Sequence, residues 1–350
     1  IDVITRPTRI SEMLWRHSYD VVMLDMNFAM GETSGNEGIF WLNEIKKKDP
    51  LLPIILITAY GDIELAVRAI QEGATDFITK PWDPEKLMVT LKNAWRLRRS
   101  GQQVKKLQNK QKQLTEDLDR EFQMFHGSSE SMTMLMNTVD RVAATDASVL
   151  IAGENGTGKE VIAREIHRRS NRSDQIFVGV DLGSLSESLF ESEMFGHVKG
   201  AFTDAREDRI GRFEAAHGGT LFLNEINKLP STLQYKTYNA LENNNIIPVG
   251  SNTSISIDAR IISSTKRYPS RREIGKTFHE GLWKGLNTIR INLPPLRDRM
   301  EDLPLLIEFF LTRLGEKYKR KIGISGAALK KLEKHHWPGN IRELQDRLEK

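Results

Sequence analysis

Two short apolar runs near the start of the chain, Val21-Val22-Met23-Leu24 and Pro53-Ile54-Ile55-Leu56-Ile57, each end in a polar residue, Asp25 and Thr58, and then a loop. Unbroken apolar runs of this length are the pattern of strands buried on both faces of a parallel sheet. A helical stretch begins near Asp62, with Ile63, Ala66, Val67 and Ile70 on one face, and Gly73 stops it before a third run, Asp76-Phe77-Ile78-Thr79-Lys80-Pro81. Strand and helix alternating in this way predict a parallel α/β sheet. The carboxyl ends of its strands collect Asp25, Thr58 and Lys80, and open α/β sheets hold their sites at that edge.

From about Leu97 the pattern turns to Lys, Gln, Glu and Leu without proline, and Leu97, Val104, Leu107, Leu114 and Leu118 fall on a 3–4 spacing. That spacing is a coiled-coil seam, interrupted by Ser100 and Gln111. Between Arg96 and Lys112 stand seven basic residues and no acidic one, and Glu116, Asp117, Asp119 and Glu121 follow. A solvated helix face, a nucleic-acid contact and charge-guided helix pairing all fit the basic run. For the whole segment, a dimerising signalling helix is the preferred reading.

A second α/β unit starts near Gly127. Ser148-Val149-Leu150-Ile151 reads as a strand entering a glycine loop, with Gly218-Gly219-Thr220-Leu221-Phe222-Leu223 and Ala259-Arg260-Ile261-Ile262 as further strands. After Leu293-Pro294-Pro295-Leu296 the pattern is helical, through Leu303–Arg313 and Gly326–Lys334, as expected of a small helical lid. There is no internal repeat.

Composition narrows the function classes. At ~100–200 residues per domain, 350 residues make two or three domains. Lys and Arg number 51 against 47 Asp and Glu, and the net charge of +4 is too slight to point to nucleic acid by itself. The absence of cysteine excludes disulfides, thiolate catalysis and Cys-ligated metals. His17, His126, His167, His197, His217, His279, His335 and His336 show no metal-ligand spacing. No run approaches the ~18–20 apolar residues that cross a bilayer, and Ile1–Arg6 has no signal-peptide h-region, so a cytoplasmic protein without a membrane partner is expected.

The strongest chemical signal is Gly153-Glu154-Asn155-Gly156-Thr157-Gly158-Lys159-Glu160, a G-x-x-x-x-G-K loop after a strand and before a helix. Such glycines let backbone N–H groups turn onto phosphate oxygens, while the helix N-terminus and Lys159 add positive potential. Glu160 stands where generic P-loops carry a magnesium-binding Ser or Thr.

Further segments follow in order: Glu193-Met194-Phe195-Gly196-His197, Gly200-Ala201-Phe202-Thr203-Asp204-Ala205, Gly218–Ile226, Leu293–Arg299 and Trp337-Pro338-Gly339-Asn340-Ile341-Arg342-Glu343-Leu344. With the loop at 153–160 they have the order and spacing of the sigma-54-interacting AAA+ domain, and roughly residues 126 to 350 resemble that family. The resemblance implies ATP and Mg2+ as cofactors, Glu160 as the usual residue after the Walker A lysine, and Arg342 as the lid sensor arginine. It implies that Phe202 and Thr203 reach toward the sigma factor of sigma-54 RNA polymerase; Asp204 replaces a glycine of that loop, stiffening its tip and adding a negative charge.

Residues 1 to about 98 resemble a response-regulator receiver domain. The resemblance makes Asp25 the phosphoacceptor, Thr58 the switch hydroxyl and Lys80 the lysine that pairs with the phosphoryl group, and it implies a sensor histidine kinase as partner. The acidic pair that holds magnesium in that family would precede Ile1, so poor phosphorylation is expected. The expectation is a chain truncated at both ends, with DNA contacted only through a C-terminal module absent from it. The expected organisation is an incomplete flavodoxin-like receiver over 1–98, a helical dimerisation linker over 99–125, an AAA+ α/β subdomain over 126–292 and a helical lid over 293–350.

Four positions depart from the hydrolytic pattern that the family resemblance implies. Glu225 is present as the candidate base, but Asn224 replaces the magnesium-binding Asp and would hold metal weakly. Lys266 occupies the sensor asparagine position, and His279 and Gly285 occupy those of two arginines given to the next subunit. Lys284 and Arg267 are the candidate substitutes. Two readings stay open: a response regulator that binds ATP and contacts sigma-54 polymerase as a dimer or ring, and a hydrolysis-defective nucleotide-binding module.

Overall fold

The computed structural model describes residues 1–26, 36–59, 63–122 and 127–350. It divides into two compact units, Ile1–Leu114 and Thr115–Lys350.

In the first unit β1 (Val22–Asp25), β2 (Ile54–Ala59) and β3 (Asp76–Lys80) form a parallel sheet in that order. Around it lie α1 (Ile10–Arg16), α2 (Asn36–Lys48), α3 (Ile63–Gln71) and the first part of α4 (Pro84–Glu121). Ile39, Leu42 and Ile45 of α2 are buried with Leu24, Ile54 and Leu56, so the apolar runs form the core as expected. Gly73 lies at φ +102, a left-handed conformation that lets the chain turn from α3 into β3 without strain. The α3 face differs from the pattern. Ala69 is buried whereas Val67 and Ile70 are exposed, and the side chains of Ile63 and Ala66, like Asp62 itself, lie outside the described residues.

Helix α4 runs unbroken from Pro84, through the end of the receiver-like span, to Glu121 within the linker. Asp83 accepts the Glu85 N–H at 2.8 Å and starts it. Leu97, Val104 and Leu107 are exposed along it, and the side chains of Leu114 and Leu118 lie outside the described residues. Not all of the basic run is a solvated face: Arg98 is buried and grips the Asp49 carboxylate with both Nη atoms, at 2.9 and 2.6 Å. The Arg98 guanidinium holds the Asp49 carboxyl below its ordinary range.

In the second unit, strands are β4 (Val149–Ala152), β5 (Phe177–Asp181), β6 (Thr220–Asn224), β7 (Asn245–Ile246), β8 (Ile255–Ser256), β9 (Arg260–Thr265) and β10 (Ile289–Asn292). The helices are α5 (Glu130–Ala143), α6 (Lys159–Arg168), α7 (Glu187–Phe195), α8 (Arg212–Ala215), α9 (Ser231–Asn243), α10 (Glu280–Leu286), α11 (Leu303–Tyr318), α12 (Gly326–Glu333) and α13 (Asn340–Glu349). Five strands form one parallel sheet in the order β10-β4-β9-β6-β5, and β7 pairs antiparallel with β8. Every residue of β4 and β9 is buried, and burial stabilises each large aliphatic side chain by about 1.5–3 kcal/mol, so these are the firmest points from which loops can spring. Helix α5 is capped by Ser129, whose Oγ accepts the Met132 N–H at 3.4 Å, and buries Met132, Leu135, Val139 and Val142 at helical spacing. The lid has its own core of Leu303, Leu306, Ile307, Phe310, Trp337 and Leu344.

Candidate functional site

In the first unit the parallel register sets Asp25 opposite Ile57 and Thr58 opposite Thr79, so the carboxyl ends of β1, β2 and β3 meet at one edge. There the Lys80 ammonium is ion-paired with the Asp25 carboxylate, both half exposed, while Thr58 is buried. The three residues expected at this edge are therefore brought together. The segments that follow β1 and β2, 27–35 and 60–62, lie outside the described residues.

In the second unit the chain leaves β4 at Ala152, where Gly153 donates its N–H to the Thr265 carbonyl at 3.1 Å, and enters α6 at Lys159. Gly158 at φ +101 makes this turn possible. Lys159 is buried and donates to the carbonyls of Gly153 at 2.7 Å and Glu154 at 3.0 Å, so its ammonium is held inside the loop's own curl. Burial lowers its pKa, the positive charges of Arg342 and Lys266 lower it further, and the Glu225 carboxylate acts in the opposite sense.

The lid closes on this loop. Asn340, fully buried at φ +56, donates Nδ2 to the Asn155 carbonyl at 3.0 Å and to Glu154 Oε2 at 3.2 Å, and its Oδ1 accepts the Leu296 N–H at 2.8 Å. Ile341 donates its N–H to the Gly156 carbonyl at 3.0 Å. The approach is so close that a Cβ on Gly156 would stand 2.2 Å from the Gly339 carbonyl oxygen, at a φ of +79. Arg297 grips Glu154 at 2.8 and 2.7 Å, and these bonds, with that from Asn340, hold the Glu154 carboxyl down to about 2. Arg299, buried, donates to the Thr157 carbonyl at 3.0 Å.

Between loop and lid lies a cavity of about 610 Å³. Asn155, Gly156, Thr157, Gly158, Lys159 and Glu160 line it, opposite Arg342 of the lid and beside Asn224 and Glu225. Its apolar wall includes Phe122, Phe309 and Phe310. A loop carrying Lys159 and a set of aromatic rings in one cavity are what a nucleotide's phosphates and base require.

Glu225 sits at φ 58, ψ 54, a conformation a glutamate adopts at a cost and one found at functional sites. The Ser264 hydroxyl anchors the pair: it accepts the Glu225 N–H at 3.1 Å and donates to Asn224 Oδ1 at 2.6 Å. The magnesium implied by the sequence does not fit this donor set. The Asn224 oxygen carries no full charge and already receives the Ser264 hydroxyl, and the Glu160 carboxylate accepts from Arg164 at 3.0 and 3.2 Å. Among the described residues no three His, Asp or Glu side chains stand together where they could hold an ion.

His279 precedes α10 as its N-cap and Gly285 lies within it, and neither lines the cavity. The His279 Nδ1 accepts the Leu282 N–H at 3.1 Å and caps α10, with its ring 5.1 Å from that of Tyr238. Gly285 has open space where a Cβ would be. Of the candidate substitutes, Lys284 is paired with Glu280 at 2.8 Å, and Arg267 with Glu273 at 2.6 Å. Phe202 is part exposed, edge-on to the His197 ring at 4.9 Å, in a loop closed by bonds from Gly200 N–H to the Ala205 carbonyl and from Ala205 N–H to the Phe202 carbonyl. Thr203 and Asp204 are exposed at its tip.

Asn340, Arg297, Arg299 and Ser264 had no role in the sequence reading. The first three fall inside motif segments whose meaning is structural contact with the loop, and the signal for Ser264 is its place one residue before the end of β9.

A receiver-like sheet edge together with a phosphate loop under a helical lid defines a signal-receiving nucleotide-binding regulator. The receiver domain family of response regulators matches residues 1–92, the sigma-54 interaction domain 125–292 and the AAA+ ATPase lid domain 297–350. The transcriptional regulatory protein ZraR of Salmonella typhimurium is 40% identical over 334 residues, covering 95% of this chain and 72% of the relative. Crystal structures of NtrX from Brucella abortus are similar over 98% of this chain and 72% of theirs, at TM-score 0.60. The one in complex with ADP is 32% identical and the one in complex with ATP 31%. The chain belongs to the sigma-54-interacting response regulators of two-component systems, which regulate transcription. Among the described residues no helix is long and apolar enough to cross a membrane.

Proposed function

We propose that this chain acts on sigma-54 RNA polymerase as a nucleotide-holding response regulator whose own hydrolysis of ATP is slow. The observation that carries the reading is the buried Lys159 ammonium, curled against the Gly153 and Glu154 carbonyls at the floor of a cavity that Arg342 faces from the lid. Incoming phosphates give that ammonium a better partner than two neutral carbonyls. The nucleotide assigned is ATP, with Gly153–Glu160 around the phosphates. The NtrX complexes with ADP and ATP support this choice.

In this reading residues 1–98 take a phosphoryl group at Asp25 from a sensor kinase, with Thr58 and Lys80 responding to it. The helical segment from Leu97 through the linker at 99–125 pairs two chains through Leu97, Val104 and Leu107, which α4 leaves exposed. Residues 126–292 and 293–350 hold the nucleotide and present Phe202 and Thr203 to the sigma factor. Slow turnover follows from the chemistry at hand: Glu225 can align water, but Lys284 and Arg267 are tied in ion pairs and His279 is spent as a cap. An arginine finger is worth about 10³–10⁵ in rate, so its loss outweighs what Glu225 retains.

Titration with a fluorescent ATP analogue tests the reading. Saturable binding by the chain and none by Lys159→Ala is expected; equal affinity in the two would overturn the assignment.

A further inference from the structure

The donor set that fails to suit magnesium has a counterpart on the neighbouring strand. Thr265, the last residue of β9, pairs with Ala152 of β4, and its carbonyl receives the Gly153 N–H at 3.1 Å. Lys266 therefore follows directly beside the first glycine of the phosphate loop. Its side chain is exposed and, among the described residues, has no hydrogen bond or ion pair. Its charge reaches the loop, since it helps lower the pKa of both Lys159 and Glu154.

On the reading that the cavity holds a nucleotide, we propose that it does so without a divalent cation, with the Lys266 ammonium as counter-charge to the terminal phosphates. Magnesium is normally held by one or two carboxylates together with phosphate oxygens. Here the residue beside Glu225 is an amide whose oxygen takes the Ser264 hydroxyl, and the Asp181 carboxylate takes the Gly183 N–H at 3.1 Å. Relative to the Asp and Asn of the family pattern, Asn224 removes one negative charge and Lys266 adds one positive charge. Together they shift the site by two positive charges, the charge of one divalent ion. Lys266 is also free to move onto a phosphate, because no carboxylate restrains it.

The test is the dissociation constant for ATP, measured by calorimetry on the full chain in excess Mg2+ and in EDTA. The proposal expects the two values to agree within about threefold. Lys266→Ala weakens binding in EDTA by about tenfold, the worth of one charge-assisted contact to phosphate, while Lys266→Arg preserves it. The double variant Asn224→Asp with Lys266→Asn binds about tenfold more tightly with Mg2+ than without. Wild-type binding that collapses in EDTA overturns this inference alone and leaves the nucleotide reading standing. So does unchanged EDTA binding in Lys266→Ala. No binding in either buffer overturns both.

Discussion

Replacing Gly156 with alanine puts a methyl group where the lid comes closest to the phosphate loop. The new Cβ would stand 2.2 Å from the Gly339 oxygen and 3.1 Å from the Arg342 Cβ, at a φ of +79. An L-residue held in the left-handed region costs about 1–2 kcal/mol. Relief of the contact needs the lid to back away by roughly 1 Å, which breaks the Ile341–Gly156 and Asn340–Asn155 hydrogen bonds, each worth about 1 kcal/mol. The sum, about 3–4 kcal/mol, corresponds to a factor of roughly 10²–10³ in local opening. Native-state hydrogen exchange at the Ile341 amide reads it directly, because that N–H bonds to the Gly156 carbonyl. Gly285→Ala is the control: it lies in α10 with nothing within 4 Å of its Cβ, and should stabilise by about 1 kcal/mol while leaving Ile341 exchange untouched. Wild-type protection of Ile341 in Gly156→Ala would refute the argument that the lid is clamped on the loop.

His279→Arg, the substitution that would restore one of the arginines, removes the cap that accepts the Leu282 N–H; a fall of about 1 kcal/mol in the urea unfolding free energy is expected, and no fall would show the cap to be idle. Glu154, whose carboxyl is held from 4.5 down to about 2, contributes stability that is fully present above pH 4.5 and is lost as pH falls toward 2. Glu154→Gln should therefore flatten the stability of the second unit across that window, measured as urea midpoints at a series of pH values, and an unchanged slope would count against the Arg297–Glu154 clamp.

The sequence pattern located what depends on unbroken apolar runs. β2, β4, β6 and β9 are strands with buried residues on both faces, and such runs declare themselves; β1 is equally apolar but buries only Leu24 and leaves Met23 exposed on its other face. β5 escaped because its burial alternates, with the exposed Gly179 interrupting the apolar residues, and β10 because the polar, exposed Arg290 and Asn292 alternate with its two isoleucines. Of the site, Lys159 and the glycines were legible because local spacing alone curls the loop. The clamp by Asn340 was not, since its partners lie 185 and 186 positions away and only the folded lid joins them. The histidine at 279 could be seen as the loss of an arginine but not as a cap, because that depends on where α10 begins. Arg98 is one of seven charges in the basic run, and only the fold brings Asp49, 49 residues earlier, to hold it.

Steady-state ATPase turnover of the full chain at saturating nucleotide separates a cavity that binds ATP and turns it over slowly from that of an active ATPase. A rate at least ~10³-fold below that of an active relative is expected, little recovered by Asn224→Asp alone. A turnover number of about 1 s⁻¹ on the unaltered chain would contradict it.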